Sequence, residues 1–121
     1  MNTFAVAVLS IGLSVAAQFS LKAGMSGAEV KALISGPLSV RGAFEVLTDV
    51  FVLTGLLLYG LGAIAWLGVL SKWDVSKAYP LVGLGFALTV PIGLMAGENI
   101  STARVMGVAL ICAGGWIVAR T

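Results

Sequence analysis

Residues 49–70 read DVFVLTGLLLYGLGAIAWLGVL, and after the leading Asp49 no charged side chain interrupts them. Roughly 20 helical residues rise about 30 Å, the thickness of the hydrocarbon layer of a bilayer. Backbone groups in lipid must be satisfied internally, which only helices and closed barrels achieve. Barrel strands alternate apolar and polar residues, and this run is continuous, so it is read as a transmembrane helix.

Working outward, three more such runs lie at about residues 3–22, 76–96 and 103–119. Every charged residue falls outside the four runs or within about a turn of an end. A charge at mid-bilayer costs roughly 2.5 to 3.5 kcal/mol, so this placement is what four spanning helices require. The expected fold is an all-α membrane protein: one domain, residues 1–121, with four transmembrane helices in a compact bundle. Composition agrees, with 60% hydrophobic and 10% charged residues. The amino terminus, MNTFAVAVLS, has no basic residue ahead of its apolar run, so the first run is expected to be a retained helix rather than a signal peptide.

Seven Lys and Arg against five Asp and Glu leave a small positive charge, and the basic residues are scattered along the chain. That excludes a basic nucleic-acid surface. One cysteine and no histidine exclude an intrachain disulfide and a Cys/His metal site. No metal and no cofactor is expected, and no catalytic residue either.

The one long connection, residues 23–50, contains Gly36-Pro37, which ends any helix. After it, Val40, Phe44 and Leu47 share one helical side with Arg41, Glu45 and Asp49 on another, which predicts a short amphipathic helix at the interface. In the next link, Asp74 is a candidate N-cap, Trp73 suits the headgroup level, and Pro80 is tolerable in a first turn. Pro91, deep in the third run, should kink it. Ser101 or Thr102 is expected to cap the fourth helix. The short links make sequential neighbours antiparallel. The positive-inside count is balanced: Lys72, Lys77 and Arg120 lie on the side of the amino terminus, and Lys22, Lys31, Arg41 and Arg104 on the other. Orientation stays open.

The first run carries a polar stripe. In SIGLSVAAQFSLK, Ser10, Ser14, Gln18 and Lys22 recur every fourth residue, so each lies about 40° round and about 6 Å beyond the last. A serine in a membrane helix commonly bonds back to its own i−4 carbonyl. The Gln18 amide cannot be satisfied that way and needs another helix, a watery cavity or a ligand. Lys22, on the same face near the interface, suits a phosphate or carboxylate. Lys77 and Tyr79, with Pro80, form a second polar group at the start of the third run. Tyr59 and Trp66 lie seven residues apart on one face of the second. Gly55, Gly60, Gly62, Gly83, Gly85, Gly93, Gly97, Gly107 and Gly114 are expected to let helix backbones approach closely. A sizeable substrate would need a second copy or a partner subunit to complete a path.

The QFSLK of the first helix, the AYP at Ala78 to Pro80, Gly97-Glu98 and GVALICAGG in the fourth run together resemble the drug/metabolite transporter superfamily, in its small-multidrug-resistance-like, four-helix branch. The resemblance covers most of the chain apart from the long first connection. Exporters of that branch carry a glutamate eight residues before the lysine, and here that position is Ser14, so the proton-coupling residue is absent. Similarity to their dimer contact implies dimerisation through Gly107, Leu110, Ile111 and Gly114. SVAAQFSLK and AYPL instead look similar to the small flippase subunits that carry undecaprenyl-phosphate-linked aminoarabinose, with Lys77 as a departure from their pattern.

That resemblance implies a multi-pass protein of the bacterial inner membrane acting in lipid A modification, and hence in antibiotic resistance. It implies a lipid-linked sugar as substrate, and a homodimer or a heterodimer with a sibling chain; with no carboxylate at membrane depth, passive movement is the expected mechanism. Ser14, Gln18, Lys22, Lys77 and Tyr79 are the expected substrate contacts. An exporter of cations or metabolites, or a non-transporting accessory subunit, are the alternatives.

Overall fold

The computed structural model describes residues 2–37 and 39–121. Its helices are α1 (Thr3–Met25), α2 (Ala28–Ser35), α3 (Val40–Leu47), α4 (Val50–Leu70), α5 (Val75–Leu81), α6 (Phe86–Met95) and α7 (Thr102–Ala119), with a 3-10 turn at Val82–Gly85 joining α5 to α6. Four spans are long and apolar enough to cross a bilayer: α1, α4, the combined α5–α6 segment and α7. Among the described residues there is no strand, and the expected all-α, four-span fold is borne out.

α1 and α4 form the closest pair, and they run antiparallel. A Cβ at Gly62 would lie 3.2 Å from the Ser10 carbonyl, and one at Gly55 3.1 Å from that of Ala17. Lipid supplies no hydrophobic force between helices, so close backbone packing and polar bonds across the contact must hold them together. Two such bonds are present, from the Ser10 hydroxyl to the Gly62 carbonyl and from the Ser20 hydroxyl to the Phe51 carbonyl, both 2.7 Å. Ser10 thus bonds across helices rather than back to its own turn. Ser14, by contrast, makes no side-chain hydrogen bond among the described residues. Ser10→Ala should therefore lower stability by about 0.6 kcal/mol in reversible unfolding from detergent micelles, with Ser14→Ala unchanged.

α7 packs antiparallel against the third span: a Cβ at Gly83 would strike Ile111, and one at Gly115 would lie 3.0 Å from the Pro80 carbonyl. Gly85 makes the link to α1, seated against Ile11. The small core of Ala7, Ile11, Val15, Val69, Ala78 and Leu81 lies where these elements meet, toward the end of the bundle that carries the amino terminus.

Several local expectations change. α1 continues past Lys22 to Met25. The amphipathic helix is present as α3, capped by Ser39 and carrying an Arg41–Glu45 ion pair, but the long connection also holds α2. Asp74 takes the N-cap position without a side-chain bond, whereas Ser101 accepts from the Arg104 amide. Pro80 sits beyond the first turn of α5. Pro91 lies inside α6, and a 3-10 turn the sequence did not announce falls at Val82–Gly85, where Gly83 and Gly85 are buried.

Gly93 and Gly97 do not serve helix association. Gly97, at φ +88°, is the left-handed residue that ends α6: its N–H bonds the Leu94 carbonyl and the N–H of Glu98 returns to that of Gly93. This is the double bond of a Schellman ending, which folds the chain back over the helix. The Glu98 carboxylate consequently lies over Gly93, 3.0 Å from where a Cβ would stand. Gly60, Gly107 and Gly114 meet nothing within 4 Å.

Candidate functional site

The polar stripe of α1 faces two cavities in succession. The first, about 210 Å³, is bounded by Ser10 and Ser14 of α1, Tyr59 and Trp66 of α4, and Tyr79 of α5. Tyr59 and Trp66 reach it together because seven residues are close to two helical turns. Ser14 and the two tyrosines bring hydroxyls that bond nothing else among the described residues. Tyr79 is 67% exposed, so the cavity opens at its edge rather than being sealed in the core. The chamber is neutral, amphipathic and rich in aromatic surface.

The second cavity, about 250 Å³, is bounded by Gln18 and Lys22 of α1, Thr89 of α6, Glu98, and Arg104 of α7. A neighbouring groove of about 480 Å³ shares Phe19, Lys22 and Glu98 with it and extends past Ser26 and Met95. This is the end of the bundle where α1 finishes and α7 begins. Lys22, in the last turn of α1, complements the negative end of that helix. Its ammonium makes no ion pair among the described residues. Arg104 is held by a bond from its guanidinium to the Asn99 carbonyl, 3.0 Å, which leaves further donors free.

Of the five expected substrate contacts, Ser14 and Tyr79 come together in the first cavity and Gln18 and Lys22 in the second. Lys77 joins neither. Its ammonium stands 4.5 Å from the centre of the Trp73 ring, at the opposite end of the bundle from Lys22. Two charged residues of the second cavity, Glu98 and Arg104, were not picked out from sequence. The Gly97-Glu98 pair is visible there, but not that Glu98 and Arg104 line one cavity with Lys22.

The expected dimer face is largely open. Leu110 is 73% exposed, Gly107 and Gly114 have empty space in front of them, and only Ile111 turns part of its side chain inward, onto Gly83.

No family model matches the chain, and no solved structure matches it. Among curated proteins it is similar to the probable 4-amino-4-deoxy-L-arabinose-phosphoundecaprenol flippase subunit ArnE of Pseudomonas savastanoi, with 32% identity over 80 residues, 65% of this chain and 70% of that one. The subunit ArnF of Sodalis glossinidius is 40% identical over 63 residues, 50% of this chain and 48% of its own. ArnF of Photorhabdus laumondii is 34% identical over 74 residues, 59% of each chain.

Proposed function

Because the chain belongs to the family of 4-amino-4-deoxy-L-arabinose-phosphoundecaprenol flippase subunits, we propose that it forms part of the inner-membrane machinery that turns an undecaprenyl-phosphate-linked aminoarabinose across the bilayer for lipid A modification. The family read from SVAAQFSLK and AYPL is the family of the named relatives.

The observation that carries the reading is the α1 stripe, which lines two cavities in succession and ends at Lys22. The head group moves along it while the prenyl tail stays in lipid. At one end, Lys22 and Arg104 meet the phosphate, where charge-assisted bonds are strongest. Gln18, Ser14 and Tyr79 offer hydrogen bonds to the sugar on the way. At the other end Lys77 supplies a second cation to the emerging phosphate. The cavity of Ser14 is bounded by no ionisable carboxylate or amine, and no covalent step belongs to the passage. Both cavities open at the surface of this chain, so a sibling four-helix chain completes the path, docked on Gly107, Leu110, Ile111 and Gly114 of α7.

Vesicles containing this chain and its sibling, with the lipid-linked aminosugar confined to the inner leaflet, provide the test. Amine labelling by a membrane-impermeant reagent is expected to rise well above that of protein-free vesicles. Equal labelling in the two would reject the reading, and uptake of a quaternary ammonium compound driven by a proton gradient would favour the exporter instead.

A further inference from the structure

The second cavity holds charges of both signs that make no direct ion pair with one another. Lys22 and Arg104 share its walls with Glu98, yet among the described residues the only ion pair within 4.0 Å is the remote Arg41–Glu45. The Glu98 carboxylate accepts no hydrogen bond from the described residues. It is nevertheless placed with care: the Schellman ending at Gly97 turns it back over α6, and the missing side chain of Gly93 makes its seat. A seated carboxylate with nothing to bind, beside two cations with donors to spare, is complementary to a ligand that carries an anion and a cation on one small frame.

We propose that Glu98 is the specificity-determining residue of this site: it receives the ammonium of an aminosugar phosphate whose phosphate is held by Lys22 and Arg104. The proposal rests on the flippase reading and deepens it. In a 4-amino-4-deoxy sugar joined to phosphate at its anomeric carbon, the two charges stand at opposite ends of one ring, so a single cavity lined by two cations and a carboxylate is complementary to both. The same sugar with its amine acylated presents a neutral amide to Glu98 and forfeits the charge-assisted hydrogen bond, which disfavours it. Phosphatidylethanolamine carries the same pair of charges without the ring, and only the aminosugar also meets the Gln18 amide.

The test uses the full chain with its sibling in vesicles of phosphatidylglycerol. Translocation is compared for the polyprenyl-phosphate aminosugar and its N-formylated form, each with and without phosphatidylethanolamine. A charge-assisted hydrogen bond is worth a factor of about ten or more, so the native protein should prefer the amine by at least about tenfold. Glu98→Gln, nearly isosteric and exposed, should erase that preference by slowing the amine-bearing lipid and leaving the N-formyl lipid unchanged. Glu98→Asp should keep part of it. Loss of rate on both lipids alike would make Glu98 merely structural and overturn the proposal, as would a preference surviving in Glu98→Gln. Strong competition by phosphatidylethanolamine would assign the cavity to bulk lipid and likewise overturn it. A native protein that moves neither lipid would overturn the flippase reading itself, an outcome distinct from the others.

Discussion

Lys22→Ala is expected to slow translocation of the lipid-linked sugar on the order of ten- to a hundredfold while leaving the bundle intact, the range set by losing one hydrogen bond between charged groups. The fold is spared because only the backbone of Lys22 is engaged within the chain: its carbonyl accepts from the amide and the hydroxyl of Ser26. Its ammonium is committed to nothing among the described residues, so truncation strips charge from the second cavity without opening a hole in the core. Arg104→Ala should have the smaller effect, since part of that guanidinium is spent on the Asn99 carbonyl. Lys22→Arg should restore most of the rate because the charge returns to the same turn. The double variant should lose less than the product of the two single losses, as expected for groups that share one ligand. Initial rates in vesicles, read beside unfolding midpoints, check this. A normal rate for Lys22→Ala would remove the phosphate from this end of α1.

The second large effect is structural. Gly24→Ala should destabilise the bundle by about 2 to 4 kcal/mol, combining loss of a helix cap with overpacking. A Cβ at Gly24 would stand 2.7 Å from Oδ1 of Asp49 and 2.9 Å from the backbone nitrogen of Val52. That Asp49 oxygen accepts from the amides of Phe51 and Val52 and caps α4. A methyl group there must displace either the capping carboxylate or the start of α4, and neither is the free end of a flexible side chain. Gly60→Ala, with nothing within 4 Å, is the control and should change little. Unfolding midpoints in mixed micelles check both, and equal midpoints for the two variants would show that the α1–α4 crossing is looser than the structure describes.

Gly24 also marks where reading the chain alone runs short. It sits beyond the first apolar run, in a stretch that reads as connection, and its role depends on Asp49 arriving opposite. Gly60 and Gly62 look alike in sequence, yet only Gly62 meets α1, because two residues along a helix point to well-separated sides. Gly93 and Gly97 match a membrane packing motif by spacing but build a helix ending instead. The four spans were legible because each is a property of one continuous run and of the cost of placing charge in lipid. α2 was not, since a short helix in a mixed stretch has no long period to announce it.

The candidate site divides along the same line. The stripe of Ser10, Ser14, Gln18 and Lys22 follows from helical spacing, and so do the apolar lengths that make this an all-α membrane protein. The missing glutamate at Ser14, and with it the departure from proton-coupled exporters, is equally a matter of sequence. Only the tertiary structure decides that Ser10 is spent on Gly62 while Ser14 stays open, that Lys77 rests on Trp73 away from both cavities, and that Glu98 and Arg104 line one cavity with Lys22. The physical reason is that periodicity fixes the face a residue occupies on its own helix, whereas what stands opposite depends on how closely the backbones pack. Here that packing is set by glycine contacts and two serine hydroxyls that no local pattern specifies.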